Sequence, residues 1–170
     1  WSPDGSRLAF YRMDQSMVSA YPLVHTNTRK ATEEKLYYPM AGMPSHHVTL
    51  GIYDVASGKT TYIKTGEPKE KYLTNISWAP DSKTVYIAEV NREQNHMDLK
   101  AYDPATGDYI KTLFSEHNDK YIEPQWPMRF IPGRDKEFVW QTRRDGYTHL
   151  YRYNVDGKLL GQITRGAWEI

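Results

Sequence analysis

The residues able to do chemistry in this chain are few and scattered. Glu33 and Glu34 form an acidic pair that could grip an amine, His46 and His47 could offer imidazole to a metal, and Arg143 and Arg144 could take a carboxylate. Spacing argues against each grouping. Neighbours on an extended chain point to opposite faces, so neither Glu33-Glu34 nor His46-His47 converges on one atom. No further His or carboxylate stands at zinc-ligand spacing. His25 is a lone imidazole. Arg143 and Arg144 flank the Asp145-Gly146 turn, where charges are read as solvated. His149 alternates with Leu150 and is read as a structural hydrogen-bonder. There is no Gly-x-Ser-x-Gly elbow, no phosphate-cradling glycine loop, and no spacing that assembles Ser, His and Asp into a triad. The residues alone describe a non-catalytic chain that calls for no cofactor and no metal.

One stretch stands apart. Tyr121 to Met128 carries two prolines and three large side chains where an innermost strand should begin, which predicts a loop at the rim of a channel. It is the best local candidate for ligand contact, although a packing loop that caps the blade is the commoner role for such aromatics.

The elements that must position these residues are strands. From Leu73 to Phe114 the chain reads as four short β-runs separated by turns, and Trp78-Ala-Pro-Asp-Ser and Tyr102-Asp-Pro-Ala-Thr-Gly mark two of those turns. The same marks recur upstream in Trp1-Ser-Pro-Asp-Gly and Tyr53-Asp-Val-Ala-Ser-Gly, and downstream in Phe130-Ile-Pro-Gly and Tyr153-Asn-Val-Asp-Gly. Tyr53, Tyr102 and Tyr153 are about fifty residues apart, the spacing of propeller blades. The expectation is an all-β chain of about three four-stranded antiparallel blades of a β-propeller, at 1–66, 71–116 and 121–165, with a further strand starting over 166–170. Trp1 and Phe10 are expected in the packing between blades. The first blade is interrupted over 13–47 by an insertion expected to form an arm. Tyr21 to Thr26 and Leu36 to Met40 would be its two sides, and Arg29 to Lys35 its charged connection. Asn75-Ile76-Ser77 matches a glycosylation sequon by chance, since it lies in an expected inner strand.

Composition narrows the function further. Lys and Arg number 22 against 21 Asp and Glu, interspersed, so no basic stripe invites nucleic acid or an anionic membrane. No apolar run is long enough to span a bilayer. The absence of Cys excludes disulfides and thiol chemistry without fixing a compartment. The chain starts inside one motif and stops as another begins, so it is expected to be a segment of a longer protein. Three blades would leave uncovered faces prone to self-association.

Four motifs in order, Trp1-Ser-Pro-Asp-Gly, Tyr38-Pro-Met-Ala-Gly, Asp145-Gly-Tyr-Thr-His-Leu-Tyr and Ile163-Thr-Arg-Gly-Ala-Trp-Glu, resemble the dipeptidyl peptidase IV family of the prolyl oligopeptidase clan of serine peptidases. The resemblance covers nearly the whole chain. It implies the middle and later part of an eight-bladed propeller that covers a C-terminal α/β-hydrolase domain and gates peptide substrates. Such enzymes release X-Pro or X-Ala dipeptides from peptide N-termini. The family's Ser, Asp and His would lie beyond Ile170, and its ammonium-holding glutamate pair before Trp1, so Glu33-Glu34 is not that pair. The insertion matches the family's arm at the homodimer interface, with Tyr21, Leu23, Tyr37, Tyr38, Pro39 and Met40 as its contact residues. The segment at Tyr121 to Pro124 corresponds to one that reaches outer substrate subsites. It lacks the family's Phe-Arg pair and leaves Tyr121 and Glu123 as substrate-binding candidates. The implied setting of the parent is periplasmic or otherwise extracytoplasmic. The competing reading is a TolB-like binding or scaffold propeller without a peptidase, since such propellers share the first motif.

Overall fold

Thirteen strands and no helix build the chain, sorted into four antiparallel sheets. The computed structural model describes residues 1–170. The first sheet runs β1 (Arg7–Asp14), β4 (His47–Asp54), β5 (Thr60–Tyr62), and its insertion forms a separate hairpin of β2 (Ala20–His25) and β3 (Thr32–Tyr37). The second sheet runs β6 (Lys71–Trp78), β7 (Val85–Asn91), β8 (His96–Tyr102), β9 (Tyr109–His117). The third runs β10 (Arg129–Ile131), β11 (Arg134–Thr142), β12 (His149–Asn154), β13 (Leu159–Gln162). Within these sheets the strands pair in sequence order, apart from the step over the arm.

The turns explain why the strands stop where they do. Asp54 Oδ1 accepts from the Ser57 N–H at 2.9 Å, Asp103 Oδ1 from Ala105 at 2.7 Å, and Asn154 Oδ1 from Lys158 at 2.9 Å. A short side-chain acceptor thus replaces the lost strand partner at the same place in all three sheets. Before β1, Asp4 accepts from the Ser2 hydroxyl at 2.6 Å and from the Ser6 backbone at 3.0 Å. Those bonds, Ser2's foremost, hold its carboxyl well below the ordinary carboxylate range.

The middle sheet is covered on both sides. Along β7, Val85 and Ile87 face the first sheet and pack with Leu50 and Ile52, while Tyr86, Ala88 and Val90 face the third. On that second side Phe114 stacks on Tyr153 with ring centroids 4.5 Å apart and meets Trp140 edge-on at 5.8 Å.

Successive sheets also touch through their outer turns. Gly107 (φ 77°) lies so close to β5 that a Cβ would stand 2.3 Å from the Tyr62 carbonyl oxygen. Lys64 N–H donates to the Gly107 carbonyl at 2.8 Å and the Lys64 ammonium pairs with Asp108 at 2.6 Å. One repeat later, a Cβ on Gly157 (φ 84°) would stand 1.7 Å from the Leu113 carbonyl oxygen, and Lys111 pairs with Asp156 at 3.0 Å.

Several expectations are corrected. The first sheet has three strands rather than four, leaving β1 at an edge. Trp1 is 70 % exposed in this chain, and the Phe10 ring lies over Gly51, its cross-strand partner within the first sheet. Glu33, Glu34 and Lys35 belong to β3 and not to the arm's connection, because the hairpin register pairs them with Val24, Leu23 and Pro22. Residues 166–170 form no strand. Ile170 N–H instead donates to the Thr148 carbonyl at 3.1 Å, and Gln141 Nε2 donates to the Ile170 carbonyl at 2.7 Å, holding the segment across the ends of β11 and β12. The sequon asparagine, Asn75, sits at a bulge with φ 57° and donates its side-chain amide to the Trp126 carbonyl at 3.1 Å.

Gly157→Ala should destabilise the protein by roughly 3 kcal/mol or more, since left-handed strain adds to a backbone clash, while Gly58→Ala (φ 68°, with only the Tyr53 hydroxyl near, at 3.8 Å) should cost about 1 kcal/mol. Denaturant unfolding of the two variants measures the difference, and equal losses would contradict the close approach.

Candidate functional site

The segment joining β9 to β10 borders two clefts, and backbone bonds hold it there. Asn118 N–H donates to the Asn95 carbonyl at 3.0 Å and Ile122 N–H to the Gln94 carbonyl at 2.6 Å, so the β7–β8 turn carries the segment. Pro124 and Pro127 keep it out of the sheet. Side chains alternate: Ile122 and Pro124 turn inward, while Tyr121, Glu123 and Gln125 are exposed. The Tyr121 hydroxyl accepts from Arg143 Nη1 at 3.1 Å. Both sequence candidates therefore lie on one exposed face. Tyr121 lines the second cleft, and Glu123 lines both.

The first cleft, about 370 Å³, opens between the first and second sheets. Tyr11, Met13, Val48 and Leu73 give it an apolar wall, and Glu70 and Arg92 a charged rim. Glu70 accepts the Ser45 N–H at 2.9 Å and pairs with Arg92 at 3.4 Å, and Arg92 donates to the Met43 carbonyl at 3.1 Å. The root of the arm is thereby tied to the cleft's edge. Lys71, also in its lining, reaches inward to Glu89 at 2.9 Å.

Glu89 is a charge on the buried face of β7, 5 % exposed. Lys100 pairs with it from the next strand at 3.1 Å and the Tyr102 hydroxyl donates to its other oxygen. Burial first, and Glu89 second, push the Tyr102 hydroxyl pKa above the ordinary tyrosine range.

The second cleft, about 90 Å³, lies between the second and third sheets, with Glu116, Trp140 and Thr142 among its lining residues and Tyr121, Arg143 and Arg144 beside them. Burial pushes the Glu116 carboxyl up, and the Thr142 hydroxyl, Arg144 and the Trp140 indole oppose that rise. The arginine pair is not simply solvated. Arg144 donates to the Tyr153 hydroxyl and lies 5.6 Å from the Tyr151 ring centroid, while Arg143 holds Tyr121, the Gly146 carbonyl and Glu169.

The remaining candidates are structural. His149 is 2 % exposed; its Nε2–H donates to the Gly166 carbonyl at 2.9 Å, which turns Nδ1 toward the Thr164 hydroxyl at 3.2 Å. His25 pairs with Glu34 at 3.0 Å across the arm hairpin, and His46 lies at the rim of the first cleft. Ser, Asp and His do meet at Asp98, where the Ser115 hydroxyl donates at 2.6 Å and His96 Nε2 lies at 3.1 Å. The carboxylate stands between the other two, so the serine proton is directed at Asp98 and no imidazole can act as its base.

Sequence reasoning missed Glu89, Glu116 and Trp140. Glu89 carried a signal, as the single charge in the run Thr84 to Val90 with Val85 and Ile87 at alternate positions on its face. Glu116 lies on β9, which continues through His117.

Repeated four-stranded antiparallel sheets packed face to face through outer turns define a β-propeller segment. The whole chain, residues 1–170, matches the family described as the dipeptidyl peptidase IV (DPP IV) N-terminal region, and it belongs to that family. A protein named probable dipeptidyl-aminopeptidase B from Pyrenophora tritici-repentis is 28 % identical over 100 % of the chain and 22 % of its own length. The chain thus spans about a fifth of the length of such curated relatives. A candidate dipeptidyl aminopeptidase IV from Bacteroides ovatus superposes with a TM-score of 0.92 at 44 % identity, covering 99 % of this chain and 27 % of that one. Dipeptidyl peptidase 4 of Porphyromonas gingivalis gives 0.85 at 26 %, covering 100 % and 24 %. TolB of Acinetobacter baumannii, at 0.56 and 19 % over 99 % and 32 %, shares the fold alone.

Removing Glu89 would leave the buried Lys71 ammonium without a counter-charge, while Lys100 would keep Asp98 at 3.5 Å. Glu89→Ala should therefore cost about 3–5 kcal/mol in denaturant unfolding, more than a surface ion pair such as Lys64 with Asp108, worth about 1 kcal/mol or less.

Proposed function

We propose that this chain is the substrate-gating and recognition segment of the propeller in a dipeptidyl peptidase IV-like serine exopeptidase, one that releases X-Pro or X-Ala dipeptides from peptide N-termini. The observation that carries this reading is the likeness over the full chain to the Bacteroides ovatus protein, at 44 % identity and a TM-score of 0.92. The relatives extend well past the matched part, which leaves room for a hydrolase domain to supply the reacting groups. The segment itself is non-catalytic, in keeping with the order of Ser115, Asp98 and His96. Tyr121 and Glu123 are exposed on a segment fixed at both flanks and so can meet a peptide without reordering. The likeness to TolB carries no comparable argument, being one of fold.

The arm is the homodimer contact in this reading. A two-stranded hairpin is marginal alone in water, and this one carries Tyr21, Leu36, Tyr37, Tyr38 and Met40 exposed, with Leu23 half-buried and Pro39 beside them. A second copy covering those side chains would supply the burial the hairpin lacks.

The full protein should cleave a Gly-Pro amide from a free N-terminus, and Tyr121→Ala or Glu123→Gln should raise KM by up to roughly tenfold with kcat retained, the signature of lost binding in ground and transition state alike. A full protein inert toward such amides would remove the peptidase reading. Deleting Ala20 to Met43 should weaken dimerisation by at least roughly tenfold in sedimentation or light scattering, and an unchanged dimer affinity would remove the arm's role.

A further inference from the structure

Two histidines of the second sheet form a pair that the peptidase reading leaves unused. His96 on β8 stands directly opposite His117 on β9. The next pair along is joined by a backbone bond, from Asn118 N–H to the Asn95 carbonyl at 3.0 Å. The histidines therefore occupy a non-hydrogen-bonded position, where side chains of paired antiparallel strands come closest. Both imidazoles are exposed, with ring centroids 6.4 Å apart and planes inclined by 44°. Sequence spacing hides the pair, because the β8–β9 register is what brings it together.

Each ring is held from one side by a carboxylate two residues further on. His96 Nε2 lies 3.1 Å from Asp98 Oδ1, and His117 Nε2 lies 3.2 Å from Asp119 Oδ1. Asp98 is fixed in turn by the Ser115 hydroxyl at 2.6 Å and by Lys100 at 3.5 Å. An Nε2–H that donates to a carboxylate puts the lone pair of the neutral ring on Nδ1, and neither Nδ1 has a hydrogen-bond partner. A carboxylate behind one ring nitrogen, with the other nitrogen free, is the usual support of a metal-ligating histidine. Here that arrangement occurs twice, on residues that face each other across two strands.

Charge and ligand type decide what fits. Asp98 and Asp119 flank the pair, so a cation is favoured over an anion. Calcium and magnesium prefer oxygen ligands, and the chain has no thiolate to select a softer ion. Imidazole nitrogen suits zinc, copper(II) and nickel(II). Two imidazoles on one tetrahedral ion, with metal–nitrogen bonds of about 2.0 Å, have ring centroids about 5 Å apart. The two rings would have to close by about 1 Å, a shift that exposed side chains make by small rotations. We propose that His96 and His117 are the two protein ligands of a surface site for a divalent transition-metal ion, each bound through the nitrogen its carboxylate leaves free, with water completing the coordination. The ion would clip β9 to β8 where the segment leading to Tyr121 and Glu123 leaves the sheet. The site stands on the strand register and does not depend on peptidase activity.

The test is a calorimetric titration of the full protein with zinc chloride, beside His96→Ala, His117→Ala and the double variant. The full protein should show a binding event with a dissociation constant on the order of tens of micromolar, and all three variants should lose it. Equal loss from one substitution or two is the mark of an ion shared by both rings. Asp119→Asn, which leaves both ligands in place, should weaken the same event by at least roughly tenfold. Denaturant unfolding gives a second measure. Zinc at ten times its dissociation constant should raise the folding equilibrium constant about tenfold in the unsubstituted protein and leave the histidine variants unchanged, while without metal all of them should unfold alike. Undiminished zinc binding by either single histidine variant, half the heat retained by each, magnesium binding as tightly as zinc, or no zinc binding at all would overturn the site.

Discussion

The middle sheet has no solvent face, and most of the architecture follows from that constraint. Val85 to Val90 are all buried, so successive side chains of one strand must fill two different cores. A period of two then sorts the residues: branched aliphatics toward the first sheet, and Tyr86, Ala88 and Val90 toward the aromatic stack of the third. A sheet buried on both sides cannot slip by one residue, since a slip would exchange the two sets. The register that places Glu89 between Lys71 and Lys100 is therefore fixed by its apolar neighbours before any charge is counted.

That order of causes explains how much was legible in the sequence. The turns were readable because their chemistry is local: Asp54, Asp103 and Asn154 each bond a backbone N–H within four residues. The repeat follows from them, and the arm from the one place where the spacing breaks. Groupings that need distant strands were not readable. Glu89 meets partners on β6 and β8, Glu116 meets Thr142 across a sheet interface, and Arg143 reaches Tyr121 over twenty-two positions of sequence.

The candidate sites gather where the strands give way to irregular chain. The arm's root, the β7–β8 turn, the segment before β10 and the β11–β12 turn are linked to one another by hydrogen bonds, not by sheet pairing. Rigid strands beneath and hydrogen-bonded loops above are the usual division between scaffold and site. Here the loops share fastenings, so the two clefts have neighbouring rims and Glu123 belongs to both.

One of those fastenings has a mechanical meaning. Arg92 grips the end of the arm through the Met43 carbonyl, and two positions along the same turn Gln94 grips Ile122. The turn is a common pivot. The root of the arm and the loop that presents Tyr121 therefore hang from a single turn, two residues apart along it.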